Sequence, residues 1–125
     1  MKKEKTMPYV DGFVLPVPKK NLKKYKALAT KAGKIWMEFG ALQFRECVAD
    51  DVKPGKLTSF PQSVKLKKDE TVIFSWIVYK SRKDRDRINK KVMMDPRLAK
   101  MMQGNKNPFD GKRMIYGGFT TLVDL

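Results

Sequence analysis

Residues 71–79 read Thr-Val-Ile-Phe-Ser-Trp-Ile-Val-Tyr, and this run predicts a strand that is apolar on both faces. Side chains alternate between the two faces of a strand. One face therefore carries Val72, Phe74, Trp76 and Val78, and the other carries Ile73, Ser75, Ile77 and Tyr79. A strand with one face in water would alternate apolar with polar residues. Both faces of this strand must therefore be covered by protein.

Three further strands and two main helices are predicted around this strand. The strands cover residues 9–17, 42–49 and 113–123, and helical apolar patterns follow Asn21 and Ser81. The order β-α-β-β-α-β is that of the ferredoxin-like unit, an α+β fold. In that fold a four-stranded antiparallel sheet carries both helices on one face, and its first and third strands lie in the centre.

The other face of such a sheet has no helix to cover it. A second copy of the chain can supply the missing layer by sheet-on-sheet packing about a two-fold axis. We therefore expect a homodimer through the sheet face, because so large an apolar surface is rarely left in water. A charge at Phe74 or Ile77, whichever side chain faces the partner, should dissociate or unfold the protein.

Local signals mark the ends of the predicted helices. Asn21 is a candidate N-cap of the first helix, and Gly40 supplies its C-terminal stop. Ser81 can cap the second helix, and Asp95-Pro96 can begin a short helix after it.

Three other features predict local structure. Residues 50–68 form a connection of unusual length, which predicts either a packed loop or a loop that has a function of its own. Gly117-Gly118 predicts a bulge or a close backbone approach in the last strand. Cys47 is expected to be a small buried residue.

The chain has 125 residues and no histidine, which excludes catalytic designs built on an imidazole. Ser-His and Cys-His pairs and the usual zinc and haem ligands are all removed. We expect no cofactor and no metal, since the adjacent Asp50 and Asp51 are more typical of a solvated turn than of a cation site. Cys47 is the only cysteine, which excludes an internal disulfide and fits a reducing cytoplasm.

Length and composition also limit the organisation of the chain. Residues 1–6 predict a polar, disordered leader, and residues 7–125 predict a single domain. No apolar run is long enough to span a bilayer, so we expect no membrane segment. The net charge of +15 attracts polyanions, and non-specific binding of nucleic acid such as RNA is an alternative function. We favour a solvated, lysine-rich surface, because the lysines are scattered over helices, loops and tail.

Three long segments carry a resemblance to a known family: residues 9–18, 45–61 and 108–119. The first reads Tyr-Val-Asp-Gly-Phe-Val-Leu-Pro-Val-Pro, and the last reads Pro-Phe-Asp-Gly-Lys-Arg-Met-Ile-Tyr-Gly-Gly-Phe. Together the segments resemble the YbaA-like family, bacterial proteins classed as a domain of unknown function. The resemblance implies the dimeric α/β-barrel fold. Its wider superfamily includes monooxygenases, lactone isomerases and purely structural members, so no particular reaction is implied.

Five residues on the predicted strands are the candidate site residues. Asp11 and Glu46 are the only reasonable acid–base candidates, because each shares a strand face with apolar residues and burial raises a carboxylate pKa. Trp76, Arg113 and Tyr116 are candidate ligand contacts. Arg113 could hold an anion through a bidentate contact, and the two aromatic side chains could form a wall of the site.

These residues also have a structural interpretation, which we favour. Asp11, Glu46 and Arg113 could form buried or interfacial ion pairs that fix strand register or dimer geometry. The leading functional hypothesis is a small cytoplasmic homodimer that binds, and could transform, a small organic molecule in a cleft between helices and sheet. Trp36, Phe74, Trp76 and Tyr116 could line such a cleft. The sequence leaves open whether the protein is an enzyme.

Overall fold

The computed structural model describes residues 7–103 and 107–125, so the predicted leader at residues 1–6 lies outside the described residues. The strands are β1 (Tyr9–Pro18), β2 (Gln43–Val48), β3 (Glu70–Tyr79) and β4 (Ile115–Thr120). The helices are α1 (Leu22–Glu38), α2 (Phe60–Ser63), α3 (Arg82–Met93) and α4 (Pro96–Met101). Short 3-10 turns occupy Lys19–Asn21 and Gly111–Arg113. None of the helices in the described part of the chain is long and apolar enough to cross a membrane.

The four strands form one antiparallel sheet in the order β2-β3-β1-β4. The predicted ferredoxin-like fold is therefore confirmed, with β1 and β3 in the centre. Their ladder runs from the pair Tyr9–Tyr79 to the pair Pro18–Glu70. This long pairing places the apolar run of β3 where both of its faces can be covered.

The main core lies on the face of the sheet that carries α1 and α3, which we call the helix face. β1 and β3 contribute side chains to it that are almost fully buried, and the helices pack onto these side chains from above. The buried set is Leu15, Val17, Ile73, Ile77 and Tyr79 from the strands, with Tyr25, Ala29, Ile35, Ile88 and Val92 from the helices. Ile77 is therefore a core residue of the single chain.

The opposite face, which we call the open face, is covered only at one end by residues 7–103 and 107–125. The connection between β2 and β3 folds over that end, where Val64 packs on Val14 and Val72. The ring of Phe60 in α2 meets the ring of Phe74 edge-on, with centroids 5.7 Å apart. The long connection is thus a packed loop, which is one of the two alternatives that its length predicts, and it supplies part of a second layer.

Two of the predicted helix caps are confirmed, and one is wrong in its chemistry. The side chains of Ser81 and Asp95 accept hydrogen bonds from the first turns of α3 and α4. Asn21 occupies the N-cap position of α1, but its side chain makes no cap hydrogen bond. It donates instead to the backbone carbonyl of Pro108, at 3.1 Å, and so ties α1 to the segment before β4.

Two predictions near the sheet edges need correction, and a third holds in one of its two forms. β4 begins at Ile115, and Arg113 belongs to the 3-10 turn before it. The ladder between β1 and β4 is regular through both glycines, so the predicted feature is not a bulge but a close approach: a Cβ at Gly118 would collide with the ring of Tyr9. Cys47 is exposed, because β2 is an edge strand and this side chain projects from the open face.

Candidate functional site

A cleft of about 1300 Å³ lies between α1 and β2 on the helix face. Its floor is formed by side chains of β2 and β3, and one wall is the side of α1 that turns towards β2. The apolar part of this lining consists of Leu22, Ala29, Gly33, Met37, Phe44, Val48 and Ile73. The cleft opens to water at the β2 edge of the sheet, where no further strand covers it.

The spacing between α1 and β2 differs along the helix. At Gly33 the helix lies against the sheet, since a Cβ there would come within 2.7 Å of the Phe44 ring. Nearer the start of α1, the large side chain of Tyr25 fills the space between helix and sheet and packs with Leu15 and Ile73. The cleft lies beside this tyrosine.

Tyr25 and Glu46 form the polar centre of the cleft. The Tyr25 hydroxyl donates a hydrogen bond of 2.6 Å to Glu46 Oε1. Burial raises the pKa of the Glu46 carboxyl, and the hydroxyls of Tyr25 and Ser75 oppose that shift only in part. Burial and the nearby Glu46 charge likewise raise the pKa of Tyr25. Glu46 lies at the edge of the sheet and is exposed, so water and ligands can reach its carboxyl group. The apolar side chains around that carboxyl nevertheless remove part of its hydration.

Residues far along the chain hold Tyr25 in place. The ring of Phe109 meets the Tyr25 ring edge-on at 5.6 Å between centroids. The neighbouring Pro108 carbonyl accepts the hydrogen bond from Asn21. The segment that precedes β4 therefore packs against the Tyr25 ring and is tied to the start of α1.

Asp11 lies elsewhere, in a buried network under α3. Its carboxylate is bound by Arg85 at 3.2 Å, and Asn89 Nδ2 lies 3.5 Å away. Asn89 in turn accepts hydrogen bonds from Trp36 at 2.9 Å and from Tyr79 at 3.1 Å. Asp11 of β1 contacts Arg85 and Asn89 of α3, and Asn89 in turn bonds to Trp36 of α1. Asp11 therefore serves in the structure as part of a network that links the sheet to both long helices.

Arg113 joins two loops at the end of the sheet. It makes contacts of 2.6–2.7 Å with both carboxylate oxygens of Glu70 and one of 2.9 Å with Asp110. The same guanidinium donates to the backbone carbonyl of Lys65 at 3.0 Å. Arg113 lowers the pKa values of Glu70 and Asp110, as expected for charge-assisted pairs. The N–H groups of the Arg113 guanidinium therefore bond to acceptors of the protein itself.

Trp76 lines a shallow apolar groove of about 520 Å³ on the open face, whereas the Tyr116 side chain lies on the helix face of the neighbouring strand, opposite Phe13. Trp76 donates a hydrogen bond to Gln43 Oε1 at 2.5 Å, and Tyr116 stacks on Phe13 at 6.3 Å. Phe74, Ile115 and Phe119 line the same groove and are 42%, 46% and 62% exposed.

The structure does not bring the five candidate residues together. Only Glu46 lies in the cleft, and Trp36 packs against the core beneath α1 and α3. Sequence reasoning missed Tyr25 as a functional partner, because its helical spacing marked it as a core residue. The signal that could have found it was Glu46 itself, a carboxylate among apolar neighbours that required a donor. Within residues 7–103 and 107–125, no group of three acidic or cysteine side chains is arranged to hold a metal ion.

Comparison with known sequences gives a family match over most of the chain. Residues 8–111 match the family model described as "Protein of unknown function (DUF1428)". The chain is 50% identical over 118 residues to "Uncharacterized protein YbaA" of Escherichia coli strain K12, which covers 94% of this chain and 99% of that protein. The protein of the same description from Shigella flexneri matches equally well.

Solved structures with the same fold are much more distant in sequence. A nipsnap family protein with unknown function from Agrobacterium tumefaciens has a TM-score of 0.58 at 10% identity, over 97% of this chain and 94% of that one. A protein described as dimeric ferredoxin-like, from an uncultured marine organism, has a TM-score of 0.53 at 10% identity. It covers 94% of this chain, which covers 99% of it. At such low identity these likenesses establish the fold.

The pKa of Glu46 predicts how Glu46→Gln changes stability with pH. A carboxyl whose pKa is raised in the folded protein contributes stability below its unfolded pKa and loses it as the pH rises through the folded pKa. The native protein therefore becomes less stable as the pH rises through the pKa of Glu46, and the Glu46→Gln variant, which cannot ionise there, does not. The difference in free energy of unfolding, variant minus native, should accordingly increase from acid to neutral pH. Urea unfolding at several pH values measures the difference.

Glu38→Gln is the matched control for this measurement. Arg97 lowers the pKa of Glu38, so this variant should lose stability relative to the native protein as the pH rises. The two curves should therefore have opposite slopes. A Glu46→Gln curve that is flat, or parallel to that of Glu38→Gln, would contradict the assignment.

Arg113→Ala should lower the melting temperature more than Arg97→Ala does. Each arginine bridges two carboxylates, but the Arg113 side chain is 15% exposed and its partner Glu70 is 4% exposed, whereas Arg97 is 51% exposed. Loss of Arg113 leaves the buried Glu70 carboxylate without its cation. Loss of Arg97 leaves Glu38 largely in water, and Asp95, whose side chain is 11% exposed, keeps its hydrogen bond from the backbone N–H of residue 97. Thermal melts followed by circular dichroism compare the two, and equal decreases would contradict the structural role.

Proposed function

The chain belongs to the YbaA-like family, DUF1428, and we propose that this member is a homodimer that binds a small organic molecule in the cleft between α1 and β2. The observation that carries the proposal is the hydrogen-bonded pair of Tyr25 and Glu46, which lies in a mostly apolar cleft open to solvent. Ligand sites combine such apolar walls with a small number of placed polar groups.

The polar pair supplies both kinds of hydrogen bond that an organic ligand needs. A protonated Glu46 donates a hydrogen bond and an ionised Glu46 accepts one, and Tyr25 fixes the orientation of the carboxyl in either state. Because its pKa is raised, Glu46 can exchange a proton with a ligand closer to neutral pH than an ordinary glutamate can. Proton transfer is the chemical step that the side chains of this cleft are equipped to perform.

The homodimer is supported by the open face. The groove lined by Phe74, Trp76, Ile115 and Phe119 is almost wholly apolar and remains uncovered in the single chain. Sheet-on-sheet packing of a second copy would cover it and would leave both α1–β2 clefts free on the outer sides. One solved structure of the same fold, at 10% identity, is described as a dimeric ferredoxin-like protein.

The alternative of non-specific nucleic-acid binding is motivated by the net charge of +15. Neither the α1–β2 cleft nor the open-face groove combines basic side chains with exposed aromatic rings on one element, which is the usual arrangement for binding single strands. The exposed aromatic side chains of the open face lie opposite the lysine-rich helix α1. The geometry therefore favours the cleft.

Thr30→Trp should block the cleft without disturbing the core, because Thr30 lines the cleft from an exposed position on α1. We expect the affinity for the uncharged fluorescent probe N-phenyl-1-naphthylamine to fall by at least about tenfold, which corresponds to about 1.4 kcal/mol. Ala27→Trp is the control, since Ala27 is exposed on the same helix outside the cleft lining. Equal probe affinity in both variants would rule out the cleft as the binding site.

Phe74→Asp should convert the dimer into monomers of 14.5 kDa. An unpaired carboxylate buried between two sheets costs several kcal/mol, which raises the dimer dissociation constant by at least about a hundredfold. Light scattering gives the mass, and circular dichroism checks that the variant is folded.

Met94→Asp is the control for the dimer test. It changes a side chain that is 75% exposed at the end of α3, away from the open face, and should leave the dimer intact. A native protein with the mass of one chain at micromolar concentration would exclude the homodimer.

A further inference from the structure

The mouth of the α1–β2 cleft is lined by lysines along one side of α1. Lys23, Lys26 and Lys34 of α1 contribute to the lining, together with Lys19 and Lys20 from the preceding 3-10 turn. Spacings of three and eight residues put the three helical lysines on one stripe of α1, beside the buried stripe of Tyr25 and Ala29. A row of ammonium groups therefore follows the length of the opening.

These lysines meet little opposing charge within the cleft. None of the five takes part in a salt bridge in the part of the chain that the structure describes. The cleft contains two carboxylates, Glu38 and Glu46. Glu38 is bound by Arg97 at 2.6 Å, and Glu46 is held by Tyr25. The electrostatic potential at the mouth is therefore positive, and field lines concentrate in a cleft with apolar walls.

The walls below the lysines are apolar over most of their length. Val48 and Ile73 form the floor on one side of the Tyr25–Glu46 pair, and Phe44 and Met37 lie on the other side. A fully hydrated anion such as free phosphate would leave these surfaces in contact with water. A neutral apolar molecule would leave the lysines without a partner. The surface complements a molecule that combines both properties.

We propose that the ligand of this cleft is an amphipathic organic anion, whose apolar body lies over Met37, Phe44 and Val48 and whose acidic head group meets the lysine stripe. This inference rests on the proposed binding function and adds the chemical class of the ligand. The elongated opening suits an extended body such as an acyl chain, and the head group can be a carboxylate or a phosphate. Both bind ammonium groups through charge-assisted hydrogen bonds.

The test compares four probes with the same twelve-carbon chain by isothermal titration calorimetry, with the ionic probes below their micelle concentrations and the alcohol below its solubility limit. Dodecanoate and dodecyl phosphate are anionic, dodecan-1-ol is neutral, and dodecyltrimethylammonium is cationic. We expect both anions to bind the native dimer at least about tenfold more tightly than the neutral and cationic probes. The ratio of the two anion affinities identifies which head group is preferred.

Two double variants of α1 separate the lysine stripe from the general charge of the protein. Lys23→Gln with Lys26→Gln removes two charges from the mouth of the cleft, and Lys24→Gln with Lys31→Gln removes two exposed charges from the same helix outside the cleft. The first variant should lose about tenfold in dodecanoate affinity and the second less than about twofold. Equal losses would mean long-range attraction only and would overturn the proposal.

The outcomes also distinguish this inference from the binding function on which it depends. If dodecan-1-ol or the cation binds as tightly as dodecanoate, and Thr30→Trp abolishes that binding, the cleft is a ligand site and the anion inference is wrong. If Thr30→Trp changes the affinity of none of the four probes, the cleft is not a ligand site and both proposals are wrong.

Discussion

The antiparallel ladder between β1 and β3 joins the two longest strands of the sheet from Tyr9–Tyr79 to Pro18–Glu70. Both strands present apolar side chains on both faces, so both faces of the sheet have to be covered by elements outside it. α1 and α3 bury the helix face, and Val64 with its neighbours covers one end of the open face. What remains of the open face is the groove that a second copy would cover.

The cleft exists because α1 has to cover an edge strand as well as the central pair. Gly33 allows the helix to lie against β2 beside Phe44, but Tyr25 is too large for such an approach and separates helix from sheet near the start of α1. The separation exposes apolar floor, and the Tyr25 hydroxyl needs an acceptor there, which Glu46 provides. The difference in size between Gly33 and Tyr25 thus accompanies a cleft with the Tyr25–Glu46 hydrogen bond beside it.

Patterns within one element were predictable from the sequence, and contacts between elements were not. The alternation in β3, the stripe of α1 and the caps at Ser81 and Asp95 depend on residues only a few positions apart. Tyr25–Glu46 and Arg113–Glu70 join residues 21 and 43 positions apart, and periodicity specifies only which face a side chain occupies. Glu46 could therefore be recognised as a polar residue in an apolar setting, while its partner could not.

The connectivity of β1 also has a consequence for the order in which the protein can fold during synthesis. β1 is made early and lies in the centre of the sheet, yet its two neighbours are β3 and β4, which leave the ribosome much later. Thr121 closes the arrangement with bonds to the Pro8 carbonyl, 113 positions back in the chain. Such long-range pairing slows folding and leaves apolar strands transiently unpaired. The nascent chain therefore carries an exposed, aggregation-prone first strand until β3 has emerged, which is a demand on chaperones that a fold with sequential hairpins would avoid.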